Sequence, residues 1–185
     1  MSDNAVRDKI VETAGRLFYQ QGYNLTGINQ VIEEANIAKR SLYHHFESKA
    51  DLLLAYLEDF QEDWYLRLEE FLKPVQDPRE RVLALFDFRI GNQQRTNFGG
   101  CPYIKISDEV GKVEERVAKR VQESKDALRK YIRSLVKQSG HKQVLTDEAL
   151  SEMIYLMMEG GVVNAAIYKD ARDLKSARKI IRQLL

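Results

Sequence analysis

Apolar residues recur every three or four positions along almost the whole chain, and no stretch alternates as a strand would. Only three prolines interrupt that rhythm. The period commits the chain to helices packed face against face, an all-α fold. Ile10, Ala14, Leu17 and Phe18 form a first stripe, and Gly22 stands where a helix ends in a left-handed turn. Ile28, Val31, Ile32 and Ala35 repeat the pattern over a shorter length, with Thr26 ahead of them as N-cap. Ile37, Leu42 and Phe46 anchor a third short helix.

Ser48-Lys-Ala-Asp51 is a capping box with Asp in place of Glu or Gln. It opens a long helix whose stripe is Leu53, Leu57, Phe60, Trp64 and Phe71, closed by Pro74. Asp77-Pro78-Arg79-Glu80 combines an N-cap, a proline at the first helical position and an acid in the first turn. The helix it starts is expected to reach about Gln94, before the break Asn97-Phe-Gly-Gly-Cys-Pro-Tyr103. A basic helix is expected from about Val113 to Ser139, closed by Gly140. Thr146 starts another to about Tyr168, and Asp173 starts the last.

The 185 residues suffice for one or two domains with a real core. No apolar run approaches the roughly 18 residues that span a bilayer. The first residues, Met1 to Arg7, contain no apolar segment of the secretory kind. Cys101 is the only cysteine, so the chain forms no internal disulfide, and a cytoplasmic protein is expected. A net charge of +1 does not announce a nucleic-acid binder, although a local basic face does the same electrostatic work.

Residues 36–52 supply such a face. The three short helices before Ser48, with a tight turn around Glu34–Ile37, have helix-turn-helix geometry. Lys39 and Arg40 fall in the first turn of the third helix, from which side chains reach base edges. Ser41 lies on the same open side. Tyr43 and His44 follow one turn later and suit phosphate oxygens, as do Lys49 and the Thr26 hydroxyl. Spacing alone leaves a second reading, a small helical bundle with a solvated polar face.

Residue order separates the two. Ala14, Leu17, Phe18, Gly22, Tyr23, Thr26, Ile28, Ile32 and Ala35, then Leu42, Tyr43, His45, Phe46, Ser48, Lys49 and Leu52, resemble the signature of the tetracycline-repressor (TetR) family of bacterial transcriptional regulators. The resemblance covers about residues 7–55. Three positions depart from it. Asn36 stands where a turn glycine is usual, and asparagine tolerates the left-handed conformation. Ala38 replaces a hydroxyl residue, which costs an N-cap and a phosphate contact, and Gly27 replaces a Thr or Ser, which slightly weakens the start of the second helix. The resemblance implies a DNA-binding domain at residues 1–47 and, at 48–185, a helical domain that binds an effector and dimerises. Movement in one would reach the other through the helix that starts at Ser48.

The second half is read on its own residues as well. An effector pocket is expected around Trp64, Phe86, Arg89, Cys101, Tyr103, Met157 and Asn164, although aromatics at helical spacing serve a core equally well. Arg89 interrupts an apolar stretch and either orients an anionic ligand or forms a surface ion pair. Cys101 is either a small buried residue or a reactive thiol near a helix start; the resemblance implies that such a cysteine can sense oxidants or electrophiles. Lys119, Arg120, Lys125, Arg129, Lys130 and Arg133 alternate with acids and read as a solvated helix face. Met153, Leu156, Gly160 and Ile167, with Ala177, Ile181 and Leu184 on the last helix, are the expected dimer interface, a four-helix contact with two-fold symmetry.

The function expected from these features is a sequence-specific regulator, a repressor released from a palindromic operator by a small molecule, oxidant or electrophile. A helical adaptor using the same surfaces for protein contacts is the alternative. No metal-ligand spacing, phosphate-binding glycine loop or nucleophile elbow appears, which argues against an enzyme and leaves no cofactor expected.

Overall fold

A computed structural model of the chain describes residues 3–110, 114–141 and 144–185. Among these residues there are nine helices and no strand. They are α1 (Asp3–Gln21), α2 (Ile28–Glu34), α3 (Lys39–His45), α4 (Lys49–Leu72), α5 (Pro78–Arg95), α6 (Pro102–Val110), α7 (Glu115–Ser139), α8 (Asp147–Tyr168) and α9 (Arg172–Leu184). The expected start of the basic helix at Val113 lies outside the described residues.

Helix ends follow their local chemistry. The Asp77 carboxylate accepts from the backbone N–H groups of Arg79 and Glu80 at 2.7 and 3.1 Å, ahead of the helix-starting proline. Thr146 Oγ1 accepts from Ala149 N at 3.2 Å. Ser48 Oγ accepts from Asp51 N at 3.1 Å and donates to the Asp51 carboxylate at 2.5 Å, so the box closes side chain to side chain. Gly22 has φ +96°, and a Cβ there would meet the Glu109 carboxylate at 2.8 Å. Two boundaries differ from expectation. Gly27, not Thr26, is the N-cap of α2, without a side-chain bond. The last helix starts at Arg172, where the Asp170 carboxylate accepts the backbone N–H at 2.9 Å, so Asp173 lies inside its first turn.

The chain packs as two compact units. The first holds residues 1–63 and 102–122; the second holds 64–101 and 123–185. Both α4 and α7 pass from one unit to the other. In the first unit Ile10, Phe18, Val31, Leu42, Leu52, Leu53 and Leu57 are buried, each of the larger ones worth about 1.5–3 kcal/mol of burial. In the second unit Leu68 and Leu72 carry the end of the α4 stripe, whereas Phe71 is 44% exposed and turns only one ring face to Phe88, centroids 5.6 Å apart. Phe71 falls one residue outside the stripe because 3.6 residues per turn favours the 64, 68, 72 series.

Helices α8 and α9 approach most closely at Gly161, where a Cβ would lie 2.7 Å from Leu174 Cδ2. The neighbouring Gly160 faces open space. Gly161→Ala should therefore overpack the pair and destabilise by about 1–3 kcal/mol. Gly91→Ala, with nothing within 4 Å of its Cβ, should stabilise by about 0.5–1 kcal/mol through helix propensity. Urea unfolding of the two proteins distinguishes these signs.

Candidate functional site: a nucleic-acid interface and a buried thiol cluster

The first unit presents a helix-turn-helix. Ala35 closes α2, Asn36 turns the chain with φ +47°, and Ile37 N donates back to Ile32 O at 3.2 Å. That left-handed Asn36 does the work expected of a turn glycine. Ala38 caps α3 without a side-chain bond, which leaves the helix start open. Leu42 and Phe46 point inward and fix the rotation of α3. Lys39, Arg40, Tyr43 and His44 consequently face solvent, with Ser41 half-exposed. Lys39 Nζ lies 6.0 Å from the Tyr43 ring centre. Arg40, Ser41 and His44 line a shallow cleft with Ala38, His45, Val6 and Asp3.

Two residues expected at this surface are engaged elsewhere. Thr26 is fully buried, its hydroxyl donating to Gly22 O at 2.6 Å and accepting from Gln21 at 3.3 Å. It staples the α1–α2 turn and offers nothing to a phosphate. Lys49 lies over the Tyr23 ring at 4.1 Å, and this partial burial pulls its ammonium below the usual lysine range. Beside it, the Ser48 hydroxyl and then Arg116, at 2.8 Å, hold the Asp51 carboxyl below its ordinary range.

In the second unit two cations, the buried Arg89 and the partly buried Lys125, share the Glu159 carboxylate. Glu159 Oε1 accepts from Arg89 Nη2 at 2.8 Å, and Oε2 pairs with Lys125 Nζ. Lys125 Nζ also lies 3.5 Å from the Cys101 sulfur. Burial pushes Lys125 down, but the Cys101 sulfur and the Glu159 carboxylate more than offset it, so its ammonium sits above the ordinary range. The Arg89 guanidinium lies 5.7 Å from the Trp64 ring.

Several assignments change here. Arg89 is buried and is no surface ion pair. Lys125 leaves the solvated face of its helix for this interior cluster. Neither Lys125 nor Glu159 was expected at the site; the one signal was Glu159 as the lone charge in the apolar run 153–168. Tyr103 belongs to the first unit, where its hydroxyl donates to Leu57 O at 2.9 Å. Asn164 donates to Asp173 at 2.7 Å, Phe86 is wholly buried in the core, and Met157 is half-buried. Of the seven expected pocket residues, the structure gathers Trp64, Arg89 and Cys101.

The expected interface also divides. Ala177 and Ile181 are buried within the chain's own α8–α9 packing. Leu156 (57% exposed), Gly160, Val163 and Ile167 (64% exposed) form an open face of α8 at helical spacing. Met153 and Leu184 are half-buried, and Ile180 is exposed.

A helix-turn-helix with a basic, exposed second helix, followed by a larger helical unit, defines a DNA-binding regulator. Residues 10–56 match the family model for bacterial regulatory proteins of the tetR family, and residues 78–181 match the tetracyclin repressor-like C-terminal domain. The chain belongs to this family. It is 27% identical over 187 residues to the HTH-type transcriptional regulator LmrA of Bacillus subtilis, covering 100% of this chain and 99% of LmrA. It is 24% identical over 191 residues to the HTH-type transcriptional repressor NemR of Escherichia coli, covering 100% and 96%. The crystal structure of NemR in its reduced form shares the fold, with a TM-score of 0.84, 22% identity and coverage of 97% of this chain and 96% of that one. A TetR regulator from Chloroflexus aurantiacus superposes with a TM-score of 0.82 at 26% identity, covering 97% and 93%. No described helix is long and apolar enough to cross a membrane.

Removing the Glu159 charge leaves the buried Arg89 and the partly buried Lys125 without their carboxylate. Glu159→Gln should cost about 3–5 kcal/mol of folding stability. Asp126→Asn, which removes an exposed partner of Arg129, should cost under about 1 kcal/mol. Denaturant midpoints measure both.

Proposed function

We propose that this chain is a dimeric repressor that leaves its operator when Cys101 is modified. The observation that carries the DNA part is α3, whose inward Leu42 forces Lys39, Arg40, Tyr43 and His44 outward together. Lys39 and Arg40 read base edges in the major groove, while Ser41, Tyr43 and His44 hold phosphates. Residues 1–47 form the DNA-binding part, and residues 48–185 receive the signal and dimerise. The open α8 face at Leu156, Gly160, Val163 and Ile167, extended by Met153 and by Ile180 and Leu184 of α9, pairs with its copy across a two-fold axis. The operator is accordingly a palindrome with half-sites about one helical turn apart.

Cys101 supports the signal part. It is the only thiol, and a charged lysine lies 3.5 Å from it. A cation at that distance stabilises the negative charge that develops as a sulfur attacks an oxidant or electrophile. The relative NemR is a repressor whose crystal structure is that of its reduced form. The signal must prefer the state that does not bind DNA, since only differential affinity shifts the equilibrium. The absence of disulfide chemistry within the chain fits a cytoplasmic regulator.

Arg40→Ala should lower operator affinity about ten- to a hundredfold while leaving the protein dimeric. Fluorescence anisotropy on DNA from upstream of its own gene, paired with sedimentation, reads both quantities. Full affinity in the variant would favour the protein-adaptor alternative. Cys101→Ser should stay on DNA in the presence of quinones or hypochlorite that release the parent.

A further inference from the structure

We propose that Asp3, at the start of α1, is a positioning residue of the DNA-reading surface: it holds a protonated His44–His45 pair against the DNA backbone, so that each subunit takes up a proton as it binds. This inference rests on reading α3 as the helix that meets DNA.

Asp3 shares the open cleft of α3 with Arg40, Ser41, His44 and His45. Its carboxylate lies 3.5 Å from His45 Nε2 and 3.9 Å from His44 Nε2. The two imidazoles meet edge to face, with centroids 5.1 Å apart. The His45 side chain is 10% exposed and that of His44 68%, so His44 is the ring that reaches outward. One carboxylate therefore faces two side chains of the type that exchanges a proton near neutral pH. The neighbouring charges are turned elsewhere. On α1, Arg7 lies 3.3 Å from Asp8 and 3.5 Å from Asp59. On α2, Glu34 is bound to Arg16 at 2.6 Å, and Glu33 is no part of the cleft lining. On α3, Lys39 lies 6.0 Å from the Tyr43 ring centre, which leaves Arg40 as the cation of the cleft among the described residues. Glu47 and Lys49, just beyond α3, also lie outside the lining, with Lys49 over the Tyr23 ring.

A phosphate brought to His44 adds a second negative charge beside Asp3 and displaces the water that screens it. Arg40, committed to a base edge, does not offset both. A proton from solvent does. One imidazole nitrogen takes it, the imidazolium donates toward the phosphate, and the Asp3 carboxylate stabilises its charge. Rings this close titrate as a pair, and the first proton opposes a second. Asp3 thus acts in two directions. With the pair protonated it aids binding; with the pair neutral it repels the phosphate. Because the bound state holds the extra proton, affinity falls as pH rises.

The test measures binding to DNA from upstream of its own gene by titration calorimetry, in buffers of different ionisation enthalpy. The parent should take up about one proton per subunit near neutral pH, and its affinity should fall about tenfold or more per subunit between about pH 6 and about pH 8 at constant salt. Asp3→Asn should lose about half of that uptake or more, bind about three- to tenfold more tightly at about pH 8, and differ less than about twofold at about pH 6. Asp8→Asn, which removes another exposed acid of α1, should keep the parent's pH slope. Nitrogen NMR spectra of the imidazoles should show the proton arriving on His44 or His45, with His141, the third histidine, unchanged. Binding without proton uptake, uptake that leaves the signals of the pair unmoved, or an Asp3→Asn protein with the parent's pH slope overturns the inference and leaves α3 as the DNA-reading helix. A parent that holds no DNA at any pH overturns that reading, and this inference with it.

Discussion

The Glu159 carboxylate is the point on which the second unit turns. Each of its oxygens holds a different cation, the buried Arg89 from α5 and the partly buried Lys125 from α7, while Glu159 itself sits in the most apolar stretch of α8. Three helices are thereby held in one register by groups that cannot be separated cheaply. An interior ion pair adds little net stability compared with a hydrophobic contact, but breaking one leaves an unpaired charge in a medium that does not solvate it. Such a contact is suited to a two-state device, since it resists small distortions and fails as a unit. The thiol stands against one of its three members, so chemistry at sulfur acts directly on the balance of charge.

In the first unit the physical logic is different. The recognition surface exists because short helices bury Leu42, Phe46 and Val31, and the residues between them have nowhere to go but out. Asn36 in the left-handed region sets the angle, and the Ser48–Asp51 box starts the next helix immediately afterward. Rigid local geometry of this sort is what positions side chains in a groove. Continuity of α4 and α7 through both units supplies the covalent path by which the two behaviours belong to one molecule.

Much of this was legible in the sequence wherever the cause was local. Caps at Asp77, Thr146 and Ser48, the break at residues 97–101 and the orientation of α3 all depend on residues within a turn or two of one another. Features that depend on partners far along the chain were not legible. Lys125 lies among alternating charges and reads as solvated; only a carboxylate 34 residues away draws it partly out of solvent. Thr26 looks like an N-cap by position, yet the carbonyl of Gly22 competes successfully for its hydroxyl. Ala177 and Ile181 share a helical stripe with Ile180 and Leu184, and nothing in a stripe says which edge meets the same chain and which meets a copy. Tyr103 was placed beside Cys101 by adjacency alone, and Pro102 begins a helix that carries it into the other unit.

The decisive measurement is nuclease footprinting on the DNA flanking the gene, with one protein preparation reduced and another stoichiometrically alkylated at Cys101. Reduced protein should protect a palindrome whose half-sites lie about one helical turn apart, with protection weakening steeply as salt rises. The alkylated preparation should leave that palindrome open at the same protein concentration. Protection that persists unchanged on fully alkylated protein, or a reduced protein that protects no palindrome, would contradict a DNA-binding regulator governed by its one buried thiol.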